Sequence, residues 1–185
     1  WSFGGGAMQR ITAEKIKERG FELIVTDMNP KCVCASLADE FVPLNTFDIS
    51  GNIKAADSLK KRFDIKGVLG TAVDCHETVA EIAKHLGLPG IDSKISKICR
   101  YKTETRKVLT KAGIPQPKFC SVRTLEEMRQ AIKDIGLPVA IKATNNSGSR
   151  GFGAVHKASE ATQELLDGAI LNGTTGYAII EELLT

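Results

Sequence analysis

A lysine followed by a loop of small residues is the part of this sequence best suited to chemistry. Lys142 ends the apolar run Val139-Ala140-Ile141, and Ser147-Gly148-Ser149-Arg150-Gly151-Phe152-Gly153 follows shortly after. Glycines let backbone N–H groups approach an anion closely, and a triphosphate needs such donors together with a fixed cation. The same pattern is typical of a mobile hairpin whose edge lysine reaches solvent. The segment alone leaves both interpretations open.

Two other phosphate-binding patterns fit less well. The loop after Lys142 lacks the Gly-Lys-Ser/Thr ending of a Walker A loop and opens no predicted helix. The turn Gly4-Gly5-Gly6 has Gln9 where a dinucleotide fingerprint has its third glycine, although Asp27 stands at the distance of a ribose-binding acid. A nicotinamide-binding domain therefore remains only as a rival hypothesis.

The first half of the chain alternates predicted strands and helices. Short apolar runs at 21–26, 39–44 and 68–69 predict strands, and the spacing of apolar residues predicts helices at 8–19 and around 53–63. Met8, Ile11 and Ile16 are expected on the inner side of the first helix. Asp74 with Glu77 has the pattern of a capping box for a third helix. Strands and helices that alternate in this way predict an open parallel sheet.

The second half has a different order. After a helical stretch at 93–112, strands are predicted at 118–122, 139–142, 154–155 and 177–181. Helices are expected at 159–171 and after Thr124, which forms a capping box with Glu127. The order β-α-β-β-α-β predicts a small split sheet with helices on one side.

Four segments in this order resemble the ATP-grasp superfamily, which includes biotin carboxylase, carbamoyl phosphate synthetase and the carboxylate–amine ligases. They are the helical Arg100-Tyr101-Lys102-Thr103-Glu104 region, Lys142 on its strand, the glycine-rich loop, and Ile179-Ile180-Glu181-Glu182-Leu183-Leu184. The opening, with its triple glycine and Thr26-Asp27-Met28-Asn29-Pro30, is similar to the pre-ATP-grasp domain that precedes the ATP-binding lid. The resemblance covers essentially the whole chain.

The resemblance implies a role for each matching residue. Lys102 and Lys142 would contact the ATP phosphates, and Glu181 would accept a hydrogen bond from the adenine amino group. The backbone of Glu182 and Leu184 would line the hinge beside the base. The loop that would close over the triphosphate contains these expected ATP-binding residues: Ser147, Gly148, Ser149, Arg150, Gly151 and Gly153. The acceptor substrate is expected where sheet strands end, near Gly5, Gly6, Asp74 and Glu77.

The implied architecture is a Rossmann-like pre-ATP-grasp domain at 1–92, linker helices at 93–120 and an α+β lid subdomain at 121–185. The implied function is activation of a carboxylate by ATP as an acyl phosphate, which an amine or similar nucleophile then attacks. Magnesium ligands and catalytic residues are expected in a C-terminal part beyond residue 185, so this stretch alone is expected to be inactive. The alternatives are a bicarbonate-using carbamoyl-phosphate synthetase or carboxylase, and a non-catalytic nucleotide-binding module.

Composition narrows the class of protein. Hydrophobic residues make up 42% and charged residues 25% of the 185 residues, with a net charge of +3, which predicts a globular protein without a nucleic-acid partner. No apolar run reaches the roughly 20 residues of a membrane span, and no leader is evident. The five cysteines match no disulfide framework or zinc pattern. We therefore expect a cytoplasmic protein with small-molecule partners and no metal site in this stretch, and the sequence leaves open whether it forms a homodimer.

Overall fold

The computed structural model describes residues 1–184 and divides into two compact units, Trp1–Lys97 and Ile98–Thr185. Each unit has its own four-stranded sheet. Within the described residues, no helix has both the length and the apolar character that crossing a membrane requires.

The first unit is built on a parallel sheet. Its strands are β1 (Ser2–Phe3), β2 (Ile24–Thr26), β3 (Glu40–Val42) and β4 (Leu69–Gly70). They lie in the order β3-β2-β1-β4, and every neighbouring pair is parallel. The helices between and after them are α1 (Arg10–Glu18), α2 (Ile49–Leu59) and α3 (His76–His85), and the division between the units falls within the next helix, α4 (Ser93–Arg100). A parallel sheet with crossover helices is the arrangement that the alternating pattern predicts.

Both faces of this sheet are apolar. Phe3 and Ile24 pack in one cluster with Leu59 of α2 and Ile82 of α3. Val25 packs on a second cluster with α1 residues. Strands that are buried on both faces explain why their sequences read as continuous apolar runs.

The expected inner face of α1 is wrong at two positions. Met8 is 75% exposed and Ile11 is 71% exposed, whereas Ala13 is buried and Ile16 is half-buried. The helix begins at Arg10 after a 3-10 turn, so Met8 lies outside it. Five residues along a helix rotate the side chain by about 140°, so Ile11 and Ile16 cannot share one face.

Two predicted helix boundaries also differ. The N-cap of α3 is Cys75, one residue after the predicted Asp74, and the Cys75 side chain makes no capping hydrogen bond. The stretch at 93–112 is two helices, α4 and α5 (Lys102–Lys111), because Tyr101 between them has an extended backbone. This break places Lys102 in the first turn of a helix.

The second unit is built on an antiparallel sheet. Its strands are β5 (Phe119–Val122), β6 (Val139–Ala143), β7 (Gly153–Val155) and β8 (Ala178–Glu182), in the order β5-β8-β6-β7. Two helices follow the predicted order, α6 (Leu125–Ile135) and α7 (Gln163–Leu171). The capping box of Thr124 and Glu127 at the start of α6 is confirmed.

The two faces of this second sheet differ. The face that carries Ile141 and Ile180 packs against Met128 and Ile132 of α6 and Leu166 of α7 in one apolar cluster. The alternate residues of β6 and β8 point to the opposite face. That opposite face carries the charged residues of the candidate site.

Candidate functional site

Strand register places Lys142 and Glu181 on one face of the antiparallel sheet. Ala140 pairs with Glu181, and Lys142 pairs with Ile179, so the two charged residues are diagonal neighbours. Lys142 Nζ donates to Glu181 Oε2 at 2.5 Å. Lysine and glutamate, which stand 39 residues apart in sequence, are therefore one ion pair.

Arg106 of α5 completes this cluster from the helix that covers the same face. Its Nε donates to Glu181 Oε1 at 2.7 Å. A second contact attaches the helix to the sheet, since Thr103 Oγ1 lies 3.3 Å from Ser121 Oγ. Glu181 is only 2% exposed, and each of its carboxylate oxygens has one cationic partner.

Burial and ion pairing act on the Glu181 carboxyl in opposite directions. Burial raises its pKa, but hydrogen bonds from Arg106 and Lys142, with their positive charges, outweigh burial and leave the pKa below its ordinary value of 4.5. Glu181 is therefore an ionised acceptor at neutral pH. A buried carboxylate of this kind can receive a further N–H donor because each oxygen has two lone pairs.

The second unit is expected to lose stability in acid because of Glu181. A carboxyl whose pKa is lower in the folded state stabilises the fold above the unfolded value of 4.5, and this contribution disappears as pH falls through the folded pKa. Between pH 7 and pH 3, the free energy of unfolding measured with urea should therefore fall less steeply in Glu181→Gln than in the unmodified protein. Glu182→Gln, at the exposed neighbouring position, is the control. Equal slopes in the two variants would contradict the assignment.

Lys102 lies beside the start of the glycine-rich loop. Its backbone N–H donates to Thr144 O at 2.8 Å, and its Nζ donates to Asn146 O at 2.6 Å. The helix α5 thus brings Lys102 to the end of β6, the strand that carries Lys142. The structure brings together both lysines, which the sequence separates by 40 residues.

The loop between Ser147 and Gly153 is attached at both ends. At its start, Asn146 Nδ2 donates to Asn172 O at 2.7 Å, just past the end of α7. At its far end, a Cβ on Gly151 would lie 2.8 Å from the Asn172 Cβ, so only glycine fits there. Gly148 and Ser149 have positive φ angles of 66° and 57°. This backbone exposes the segment 147–150 to solvent, with Arg150 Nε donating to Ser147 O at 3.2 Å.

The two expected hinge residues near the end of β8 differ in exposure from Glu181. Glu182 is exposed, and its backbone N–H donates to Lys118 O at 2.9 Å. Leu184 is 66% exposed. The Glu182 N–H is thus already used by the backbone, and the expected base-binding role of this segment must come from its other groups.

Arg106 is one of two residues beside the candidate site that the sequence patterns did not indicate. It stands four residues after Lys102, so both lie on one face of α5. That spacing was the available signal. Asn145 was also missed, and it joins the loop to the segment after α7 through Thr174 Oγ1 at 2.6 Å.

In the first unit, the glycine turn is held by Asp27 and Gln9. Asp27 Oδ2 accepts from the Gly5 N–H at 2.8 Å, and Gln9 Nε2 donates to Thr71 O at 2.6 Å. Because β1 and β4 are adjacent, the segment with Gly5 and Gly6 and the segment with Asp74 and Glu77 both follow strands that end at the same sheet edge. These four residues remain candidates for contact with a substrate.

The same contacts disfavour a dinucleotide site. The Asp27 carboxylate, which would have to bind a ribose, holds backbone N–H groups of Gly5 and Asn29. Gln9 is 6% exposed and stands where the third glycine of the fingerprint would be. The Gln9 side chain extends from the turn after β1 to the segment after β4, where it donates to Thr71 O.

Gly5→Ala should destabilise the first unit. A Cβ at this position would overlap Cys32 Sγ. We expect a loss of about 1–3 kcal/mol in the free energy of unfolding, typical of an overpacked interior. Cys32→Ala should remove most of that loss when combined with Gly5→Ala, as a double-mutant cycle by urea unfolding would show. Additive effects of the two changes would contradict the close contact.

Across residues 1–184, no group of three or more His, Cys, Asp and Glu side chains is arranged to hold a metal ion. On the sheet face that carries Lys142 and Glu181, which we call the Lys142 face, both carboxylate oxygens of Glu181 contact cationic side chains. The donor set of this face fits a polyanion and an amino group, and it does not fit Mg²⁺.

Comparisons with known proteins found a family match and structural relatives. Residues 101–184 match the family described as "Carbamoyl-phosphate synthase L chain, ATP binding domain". The solved structure of an ADP complex of purK, N5-carboxyaminoimidazole ribonucleotide synthetase, superposes with a TM-score of 0.75 at 22% identity, over 99% of this chain and 46% of that one. The resemblance to the ATP-grasp superfamily is confirmed. The predicted fold class, a parallel sheet followed by an α+β subdomain, is confirmed with it.

Two curated relatives are considerably longer than this chain. Protein y4rH of Sinorhizobium fredii, which is uncharacterized, is 32% identical over 148 residues, or 78% of this chain and 31% of y4rH. The carbamoyl phosphate synthase large chain of Mycobacterium sp. (strain JLS) is 29% identical over 88% of this chain and 15% of its own length. The chain therefore spans less than a third of either relative.

Proposed function

We propose that the Lys142 face of the second unit binds ATP and that the intact protein is an ATP-grasp ligase. The observation that carries the proposal is the buried Glu181 carboxylate, which lies within hydrogen-bond distance of Lys142 and Arg106 on one sheet face. An ionised acceptor for the adenine amino group and a cation for the phosphates stand side by side. The family match over the same residues supports this assignment.

Each residue of the site has a proposed task. Lys102 and Lys142 bind phosphate oxygens, since an ammonium on a fixed strand or helix is a strong partner for them. Ser147, Gly148, Ser149, Gly151 and Gly153 form the loop that covers the triphosphate with backbone N–H groups, and Arg150 adds a guanidinium. Glu181 accepts from the adenine amino group, with the backbone of Glu182 and Leu184 beside the base. Because the site supplies positioning and positive charge, it suits phosphoryl transfer.

The proposed reaction activates a carboxylate. A carboxylate oxygen attacks the γ-phosphorus of ATP, the bond from phosphorus to the bridging oxygen breaks, and ADP leaves with an acyl phosphate formed. An amine then attacks the acyl carbon, and phosphate departs with the C–O electron pair while the nitrogen loses a proton. Gly5, Gly6, Asp74 and Glu77 at the parallel sheet edge are the proposed contacts of the acceptor substrate.

Magnesium would neutralise the developing charge on the transferred phosphoryl group. The residues described here offer no ligand set for it, so we place its ligands and the catalytic residues outside residues 1–184. Residues 1–185 by themselves are then expected to bind ATP weakly and not to turn it over. All five cysteines are free thiols, which favours a reducing compartment such as the cytoplasm.

A second candidate function is the use of bicarbonate in place of an organic carboxylate. The observation that favours it is the family match to the ATP-binding domain of carbamoyl-phosphate synthase. Bicarbonate can attack the γ-phosphorus in the same way and form carboxyphosphate. A nucleotide-binding module without phosphoryl transfer is the alternative from a different class.

The decisive test is ADP release by the intact protein with magnesium and ATP. Bicarbonate and a panel of organic carboxylates would be screened separately, each with and without amine nucleophiles. Acceleration by one carboxylate supports the ligase, and acceleration by bicarbonate alone supports the second candidate. ATP binding by calorimetry without ADP release under any condition would favour the non-catalytic module. Absence of ATP binding would contradict all three.

A further inference from the structure

Glu181 has two cationic partners, although one would be enough to neutralise it. Lys142 lies on the neighbouring strand at 2.5 Å from Oε2, and Arg106 lies on α5 at 2.7 Å from Oε1. The three side chains therefore carry a net charge of +1. The positive charge that Glu181 does not neutralise can interact with an anionic ligand.

The two cations differ in what they can do. The Lys142 side chain is 30% exposed, and its ammonium lies at the end of a flexible stem, so the ammonium can turn to another partner. The Arg106 side chain is 23% exposed and lies on the helix that covers this face. Its planar guanidinium has a rigid arrangement of donors, which favours a fixed contact with Glu181. If Lys142 leaves Glu181, Arg106 alone still neutralises the buried carboxylate.

We propose that Arg106 is a positioning residue of the ATP site, which keeps Glu181 ionised and in place while Lys142 moves to the triphosphate. This inference rests on the proposed function. Without Arg106, the departure of Lys142 would leave a carboxylate that is 2% exposed with no cation. Lys142 would therefore stay on Glu181, and the phosphates would lose one of their two lysines.

The side chain of Arg106 can be changed without disturbing the other contacts of its residue. The backbone oxygen of Arg106 accepts from Gln116 Nε2 and Thr110 Oγ1, and neither bond involves the guanidinium. Lys107 is the matched control, because it is the next residue of α5, is 61% exposed and pairs with Glu104.

The test compares ATP with adenosine, since only ATP offers phosphates to Lys142. In the intact protein, Arg106→Gln should weaken ATP binding by about tenfold or more while adenosine binding changes by less than about threefold, as titration calorimetry would show. Arg106→Lys, which keeps the charge, should recover ATP binding to within about threefold. Lys107→Gln should leave both affinities unchanged.

Repeating the Arg106→Gln substitution in the Glu181→Gln protein distinguishes a positioning role of Arg106 from a general loss of structure. In Glu181→Gln, residue 181 no longer needs a cation, so adding Arg106→Gln should leave the ratio of ATP to adenosine affinity unchanged. Comparison of Glu181→Gln with the double variant Glu181→Gln, Arg106→Gln also tests the inference if Arg106→Gln alone does not fold. The inference is overturned if Arg106→Gln behaves like Lys107→Gln, or if it weakens ATP and adenosine equally. If the unmodified protein does not bind ATP, the proposed function fails and the inference fails with it.

Discussion

Lys142→Ala should weaken ATP binding to the intact protein by at least about 30-fold, because truncating one partner of a desolvated charged contact costs about 2 kcal/mol or more. Strand register places Lys142 on the face of the sheet that also carries Glu181. No nearby side chain on β6 can replace it, since Ala140 is the other β6 residue that the pairing places on that face. Titration calorimetry with magnesium and ATP measures the effect.

The fold should survive this substitution, because Arg106 still neutralises Glu181. Lys133→Ala is the matched control, since Lys133 is exposed on α6, which covers the opposite face of the sheet. Thermal melting should show similar midpoints for both variants. Unchanged ATP affinity in a folded Lys142→Ala protein would contradict the assignment of this face as the nucleotide site.

Glu181→Ala should destabilise the second unit by about 3 kcal/mol, because it leaves two partly buried cations without their shared anion. The two positive charges of Arg106 and Lys142 would then repel each other across the space of the missing carboxylate. Urea unfolding of the intact protein, followed by a probe in this unit, gives the difference in free energy.

Glu182→Ala provides the comparison for this prediction. Glu182 is the next residue of β8 and is exposed, so its loss should change the free energy of unfolding by less than about 0.5 kcal/mol. Glu181→Gln should lie between the two variants, because the amide oxygen still accepts a hydrogen bond while the charge is gone. Equal stability of the Ala variants at 181 and 182 would show that the ion pairs contribute little.

Much of the fold follows from local sequence patterns. The Thr124 and Glu127 capping box, the apolar strand that carries Lys142 and the order of helices and strands along the second unit each follow from residues close in sequence, and the structure has all three. The pattern failed where a helix begins or breaks. Met8 is exposed because it lies in a 3-10 turn before the start of α1, and apolar spacing alone does not reveal that shift.

The sequence by itself determined the segments of the candidate site: a lysine on a strand, a glycine-rich loop, a second lysine on a helix and a glutamate at a strand end. Only the tertiary structure decided which of these side chains share a face and what neutralises them. Strand pairing between β6 and β8 fixes the contact of Lys142 with Glu181, and helix packing brings Arg106 to the same carboxylate. The physical reason is that pairing register and helix placement depend on contacts between residues far apart in sequence. Local propensity carries no information about those contacts.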